Sequence, residues 1–153
     1  MKKTITYCLL LFFSLTVNAQ EFTDVEYVAS INKIIQNNQV TFVINSESGK
    51  LDKISYNEGQ IFYNSEPEGS LSYFNLIEIS AYQIKDNSLI LIDEEYDKEV
   101  FKFTGINKTD ASKIILELRN LYLPYIKKLN KFKNENGLFQ GTSDLKAQQW
   151  TKL

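Results

Sequence analysis

Four carboxylates, Asp93, Glu94, Glu95 and Asp97, fall on one short stretch, and clustered oxygen ligands are what calcium prefers. Their spacing is not that of an EF-hand loop, and no glycine lies among them to make its sharp turn. Asp93, Glu95 and Asp97 are therefore weak metal candidates, and the plainer reading is a charged hairpin tip between two apolar strands. A glycosidase needs two carboxyl groups facing each other across a cleft, which four acids in one turn do not supply by themselves. Ser30-Ile31-Asn32-Lys33 matches the Ser-x-x-Lys of penicillin-recognising enzymes, but the two further motifs of those enzymes are missing. Gly49-Lys50 is followed by Leu51 and lacks the upstream glycine of a phosphate loop. Asn107-Lys108-Thr109 has the form of a glycosylation sequon, for which helix capping is a sufficient explanation. Arg119, the single guanidinium, is expected to pair with a nearby acid on a helix.

The missing residue types narrow the chemistry further. With no histidine in 153 residues, there is no Ser-His-Asp triad and no imidazole metal site. A single cysteine, Cys8, allows neither an internal disulfide nor a thiolate zinc cage. A net charge of −2 gives no electrostatic reason to expect nucleic acid as a partner. No catalytic residue and no cofactor are expected. What stands out is aromatic content: Tyr56, Phe62, Tyr63, Tyr73, Phe74 and Tyr82 crowd the middle of the chain. Some must fill the core. If Tyr63, Tyr73 and Tyr82 line an outer face or a barrel mouth, they can stack on sugars or hold an apolar ligand. Lys50 and Lys53 are the basic residues nearest to such a surface in sequence.

The elements that would position these groups begin after a targeting segment. Lys2 and Lys3 precede a mostly apolar run from Ile5 to Val17, and Val17-Asn18-Ala19 places a cleavage site before Gln20. This is the pattern of a secretory signal peptide over residues 1–19. The run is too short for a membrane span, which needs about 20 apolar residues. Tyr7 before Cys8, with the apolar run after it, does not fit a lipoprotein signal. The expectation is export, periplasmic or secreted, with no transmembrane anchor after cleavage. Removal of residues 1–19 takes Lys2, Lys3 and Cys8 with it and leaves 134 residues, 15 basic against 19 acidic, with neither cysteine nor histidine. Such a domain must be stable through its core alone, and a chain this long can bury roughly two-thirds of the surface it exposes when unfolded.

Residues 20–133 read as one α+β domain and residues 134–153 as a flexible tail. Thr23-Asp24-Val25-Glu26 is a capping box, with Phe22 and Tyr27 placed for a hydrophobic staple. Val28, Ile31, Ile34 and Ile35 continue a helical stripe until Asn37-Asn38. This predicts an N-terminal helix over roughly 24–36. Turn signals then recur at 46–49, 57–59, 66–69, 86–87 and 93–97, and the runs between them favour strands. Those runs are 40–45, 51–56, 60–64, 71–80, 81–85, 88–92 and 98–104, an antiparallel seven-stranded meander or partly open barrel. A closing amphipathic helix follows, with Asn107 as its cap and Ala111, Ile114, Ile115, Leu118, Leu121 and Tyr122 as its stripe. Pro124 is expected to kink it or end it near Leu123.

From Leu71 to Tyr122 the chain resembles the back half of a bacterial pleckstrin-homology-like domain. Phe74-Asn75-Leu76-Ile77-Glu78-Ile79 stands as the strand, and Tyr82 to Leu91 as the hairpin after it. Val100-Phe101-Lys102-Phe103-Thr104 then leads into a capped helix that starts Thr109-Asp110-Ala111. The resemblance covers roughly residues 39–123 and rests on architecture. It implies a binding role, but not inositol-lipid binding, because the first hairpin offers only Lys50 and Lys53. The function expected is a non-catalytic binding or interaction module for a protein, glycan or lipid of the envelope. Its contact surface would be a strand edge with the loops around 46–50, 57–70 and 93–98. The alternatives are a small carboxylate-dependent hydrolase of glycan or cell-wall material, and a carrier of an apolar ligand inside the barrel.

Overall fold

The structure, a computed structural model, describes residues 23–44, 47–65, 70–93 and 96–135. The expected signal segment with its Ala19–Gln20 cleavage site, Phe22, the acids Glu94 and Glu95, and the tail from residue 136 lie outside them. Helix α1 spans Asp24–Asn38. The Glu26 carboxylate accepts a hydrogen bond from the Thr23 amide at 2.7 Å, which satisfies one of the amides a helix start leaves orphaned. Ile31, Ile34 and Ile35 form its buried stripe. Gln39 ends it in the left-handed conformation, with φ 51°.

Among the described residues eight strands follow: β1 Thr41–Ile44, β2 Glu47–Lys50, β3 Ile54–Asn57, β4 Gln60–Ser65, β5 Ser70–Asn75, β6 Ala81–Lys85, β7 Ser88–Asp93 and β8 Lys98–Thr104. Helix α2 spans Lys108–Glu135. All strand pairs are antiparallel. The strands form two sheets, one ordered β2-β1-β8-β7-β6 and one ordered β3-β4-β5. The α+β class and antiparallel pairing agree with the sequence reading, but the single seven-stranded meander does not. The fold is not a closed barrel. β1 pairs with β2 on one side and with β8 on the other, Phe42 opposite Phe103, so β3, β4 and β5 form a separate layer.

Two local corrections explain the difference. The segment expected to be the first turn is strand β2, with Glu47 to Lys50 paired against Ile44 to Thr41. The run 71–80 is not one strand. It breaks after Asn75 into a 3-10 turn, Leu76–Glu78, where Asn75 donates a side-chain hydrogen bond to Glu78 at 2.6 Å and Leu76 is fully buried. Of the two outcomes open at Pro124, the helix continues: it runs on to Glu135 with Pro124 inside it.

The two helices pack on each other and are joined by side chains. Asn38, at the end of α1, donates to Asp110 at 3.0 Å, and Asp110 takes a second hydrogen bond from Asn107 at 2.8 Å. Asn107 in turn accepts from the Asp110 amide at 2.9 Å, capping α2 as expected. The Ser30 hydroxyl donates to Glu117 at 2.8 Å, so the serine of the Ser-x-x-Lys match is an interhelical contact. A single core runs between the helices and both sheets. Its centre is aromatic. Phe101 lies 4.7 Å from Phe74, 5.0 Å from Tyr63, 4.6 Å from Phe103 and 6.1 Å from Phe42, between ring centroids. Rings from β1 and β8 thus interlock with rings from β4 and β5, and this contact holds the sheets together.

Candidate functional site

Side-chain parity in the three-stranded sheet follows from its register. Ile54 pairs with Tyr63, Phe62 with Tyr73, and Ile61 with Phe74. Residues directly opposite point to the same face, so Ile61, Tyr63 and Phe74 go inward and Phe62 and Tyr73 outward. The burial agrees: Tyr63 is buried, while Tyr73 is 54% and Leu71 62% exposed. Phe62 and Tyr73 rings stand 5.7 Å apart. Leu71 lies on the same outer face, diagonal to Phe62. A small apolar surface therefore faces solvent on a sheet whose other face supplies the core.

Backbone polarity along β5 follows in the same way. The Leu76 amide donates to the Gly59 carbonyl at 2.8 Å, and hydrogen-bonded pairs alternate in an antiparallel ladder. Ser72 and Phe74 then spend their amides and carbonyls on β4. Leu71 and Tyr73 turn theirs to the open side, where β5 ends the sheet, and so does the Asn75 amide; the Asn75 carbonyl opens the 3-10 turn Leu76–Glu78. Beside this edge lies an open groove of about 530 Å³. β5 forms one wall; Ile44, Glu47, Lys98 and Val100, from the ends of β1, β2 and β8, form the other, with Glu78 on its rim. Burial raises the pKa of the Tyr63 hydroxyl at the inner side of the groove, partly offset by its hydrogen bond to the Ser72 side chain.

A second groove of about 270 Å³ lies between the β3–β4 turn and the C-terminal half of α2, lined by Asp24, Tyr56, Glu58, Pro124, Tyr125 and Lys128 among others. It reads as a packing seam. Tyr56 donates to the Leu121 carbonyl at 3.3 Å, one turn before Pro124. Gly59, with φ +83°, lies so close under Tyr125 that an added Cβ would sit 2.7 Å from Cζ. Glycine is required there on both counts. Lys128 and Glu58 pair at 3.6 Å, but both are largely exposed and such pairs contribute little. Deeper in this region burial pushes the Tyr122 hydroxyl up to about 12, so it stays protonated at physiological pH.

Of the residues singled out from sequence, Tyr63 and Tyr73 meet at one groove, though from opposite faces of their sheet. Tyr82 is half-buried on β6 against the core. Lys50 ends β2, at the far edge of the same five-stranded sheet, and pairs with Asp52 at 2.8 Å; Lys53 is exposed in the next connection. The five residues do not form one site. Among the acids, Asp93 is buried at the end of β7, whereas Asp97 is exposed in a left-handed turn with φ 47°. Among the described residues no group of acids is arranged to hold a metal ion. Between the sheets the rings of Phe42, Tyr63, Phe74 and Phe103 pack around Phe101. Phe62, Leu71, Ile44 and Val100 were missed as site residues. The Phe62–Tyr73 pairing needs the register across the 66–69 turn, which composition does not fix.

Among the described residues no helix is long and apolar enough to cross a membrane. No protein-family model matches the sequence, and no curated protein matches it significantly.

Proposed function

We propose that the chain is an exported, non-catalytic interaction module that binds through the outer face and open edge of β3-β4-β5. One observation carries this: Leu71 and Tyr73 stand more than half exposed beside Phe62, at the mouth of a groove. Large apolar groups left together in solvent mark contact surfaces more often than scattered single ones do. The export half rests on the Lys2-Lys3, apolar-run and Ala19 pattern. The strands closed by one capped amphipathic helix support a distant relation to the pleckstrin-homology-like architecture, opened here into two layers. The hydrolase reading gains no support from the separated Asp93 and Asp97.

The test is photo-crosslinking in the cells that encode the protein. A photoreactive phenylalanine analogue replaces Tyr73, and in a control it replaces Leu116, which is 52% exposed on α2. The reading predicts a discrete crosslinked product at position 73, in the exported fraction, and none at 116. No product at 73, or equal products at both positions, contradicts it.

A further inference from the structure

Four strands end the two sheets, and three of these ends are protected. β2 has four residues and carries Glu47 and Lys50. β3 also has four, and its first residue has both backbone groups held by Asn32, at 2.9 Å from the Ile54 carbonyl and 2.7 Å from its amide. β6 carries Lys85 and packs beside α2. Short length, charge and covering are the usual defences of an edge against unwanted pairing. β5 has six residues, Ser-Leu-Ser-Tyr-Phe-Asn, with no charge and no proline. Among the described residues nothing pairs with its outer side.

Resting on the function proposed above, we infer that β5 takes up an extended polypeptide segment of a partner as an added strand. Only another extended backbone can match a row made of the amides and carbonyls of Leu71 and Tyr73 with the Asn75 amide. The groove of about 530 Å³ runs along this edge, between β5 and the residues Ile44, Glu47, Lys98 and Val100. Side chains at alternate positions would cover Leu71 and Tyr73 outside and reach Ile44 and Val100 inside. Glu47 and Glu78 outnumber Lys98 along the groove, so a neutral to basic segment is favoured. A glycan or lipid would use the apolar face but leave the backbone row unmatched.

The test uses the purified protein and a fluorescent peptide, Lys-Thr-Val-Thr-Val-Thr-Lys, followed by anisotropy up to millimolar concentration. A fully N-methylated analogue keeps the side chains and loses the donors. Asn75→Pro removes one outward amide at a position whose φ of −93° lies near the range proline allows. Asn75→Ala loses the same side-chain bonds but keeps that amide. Saturable binding is expected, weakened at least about tenfold by N-methylation and by Asn75→Pro, and by no more than about twofold in Asn75→Ala. Equal binding of the methylated analogue, equal effects of the two Asn75 variants, or no binding of the parent peptide overturns strand addition. The interaction module then still stands or falls by the crosslink at Tyr73. The methylated probe meets unaltered protein, so a misfolded Asn75→Pro cannot obscure the result. Concentration-dependent self-association through β5, without peptide binding, also overturns the inference.

Discussion

Replacing Phe101 by alanine is expected to cost about 3–5 kcal/mol of unfolding free energy, the range for deleting a large buried aromatic side chain. Phe101 is fully buried and touches rings from three other strands, β1, β4 and β5, besides Phe103 on its own. The alanine would lose transfer free energy and leave a cavity. It would also lose ring–ring terms worth about 0.5–1.5 kcal/mol for a favourable aromatic pair. The surrounding residues cannot collapse into the space easily, because each ring is fixed to a paired strand. Phe101→Leu keeps most of the volume and should cost clearly less. Chemical denaturation of both variants checks this through the midpoint at unchanged slope. A loss below about 1 kcal/mol for the alanine would mean that the two sheets are not joined at this cluster.

Asn32→Ala is expected to cost about 2–4 kcal/mol, since an unmatched buried polar group costs about 1–3. Asn32 is a polar residue on a helix flank, yet its amide group behaves as a strand partner, with its nitrogen donating to the Ile54 carbonyl and its oxygen accepting from the Ile54 amide. Ile54 is 2% exposed, so water cannot readily replace either bond. Asn32→Asp keeps the acceptor but sets a carboxylate oxygen against the Ile54 carbonyl where the amide nitrogen donated, and should lose at least as much as alanine. Thermal or denaturant unfolding of the three proteins decides it. A loss for aspartate clearly smaller than for alanine would contradict a two-sided clamp.

What could be read before the structure depended on whether the signal was local. The first helix was legible because its cap, Thr23 to Glu26, and its isoleucine stripe are encoded within a few turns. The β6–β7 hairpin was legible because Asp86 and Asn87 tolerate the left-handed conformation, with φ 50° and 54°, that a two-residue turn demands. β8 was legible from Phe101 and Phe103, which share a face. The features that failed are ones whose own composition does not show what they pack or pair against. Glu47 to Lys50 has turn composition and becomes a strand only because β1 lies beside it. The 71–80 run is apolar enough for a strand but turns at Leu76 to bury that side chain. Tyr63 and Tyr73 looked alike in sequence. The register places one in the core and the other in solvent, because neighbouring positions on a strand face opposite ways. The role of Asn32 could not be seen at all, as its partner is a backbone 22 positions away.

Residue-by-residue amide hydrogen exchange by NMR measures the open edge of β5 directly. The amides of Ser72 and Phe74, bonded to β4, should exchange slowly, while those of Leu71, Tyr73 and Asn75 exchange rapidly, an alternation along a single strand. Addition of a strand-forming peptide should slow the second set and leave the first unchanged. Slow exchange at Leu71, Tyr73 and Asn75 in the protein alone would show that the edge is already covered and would contradict the account.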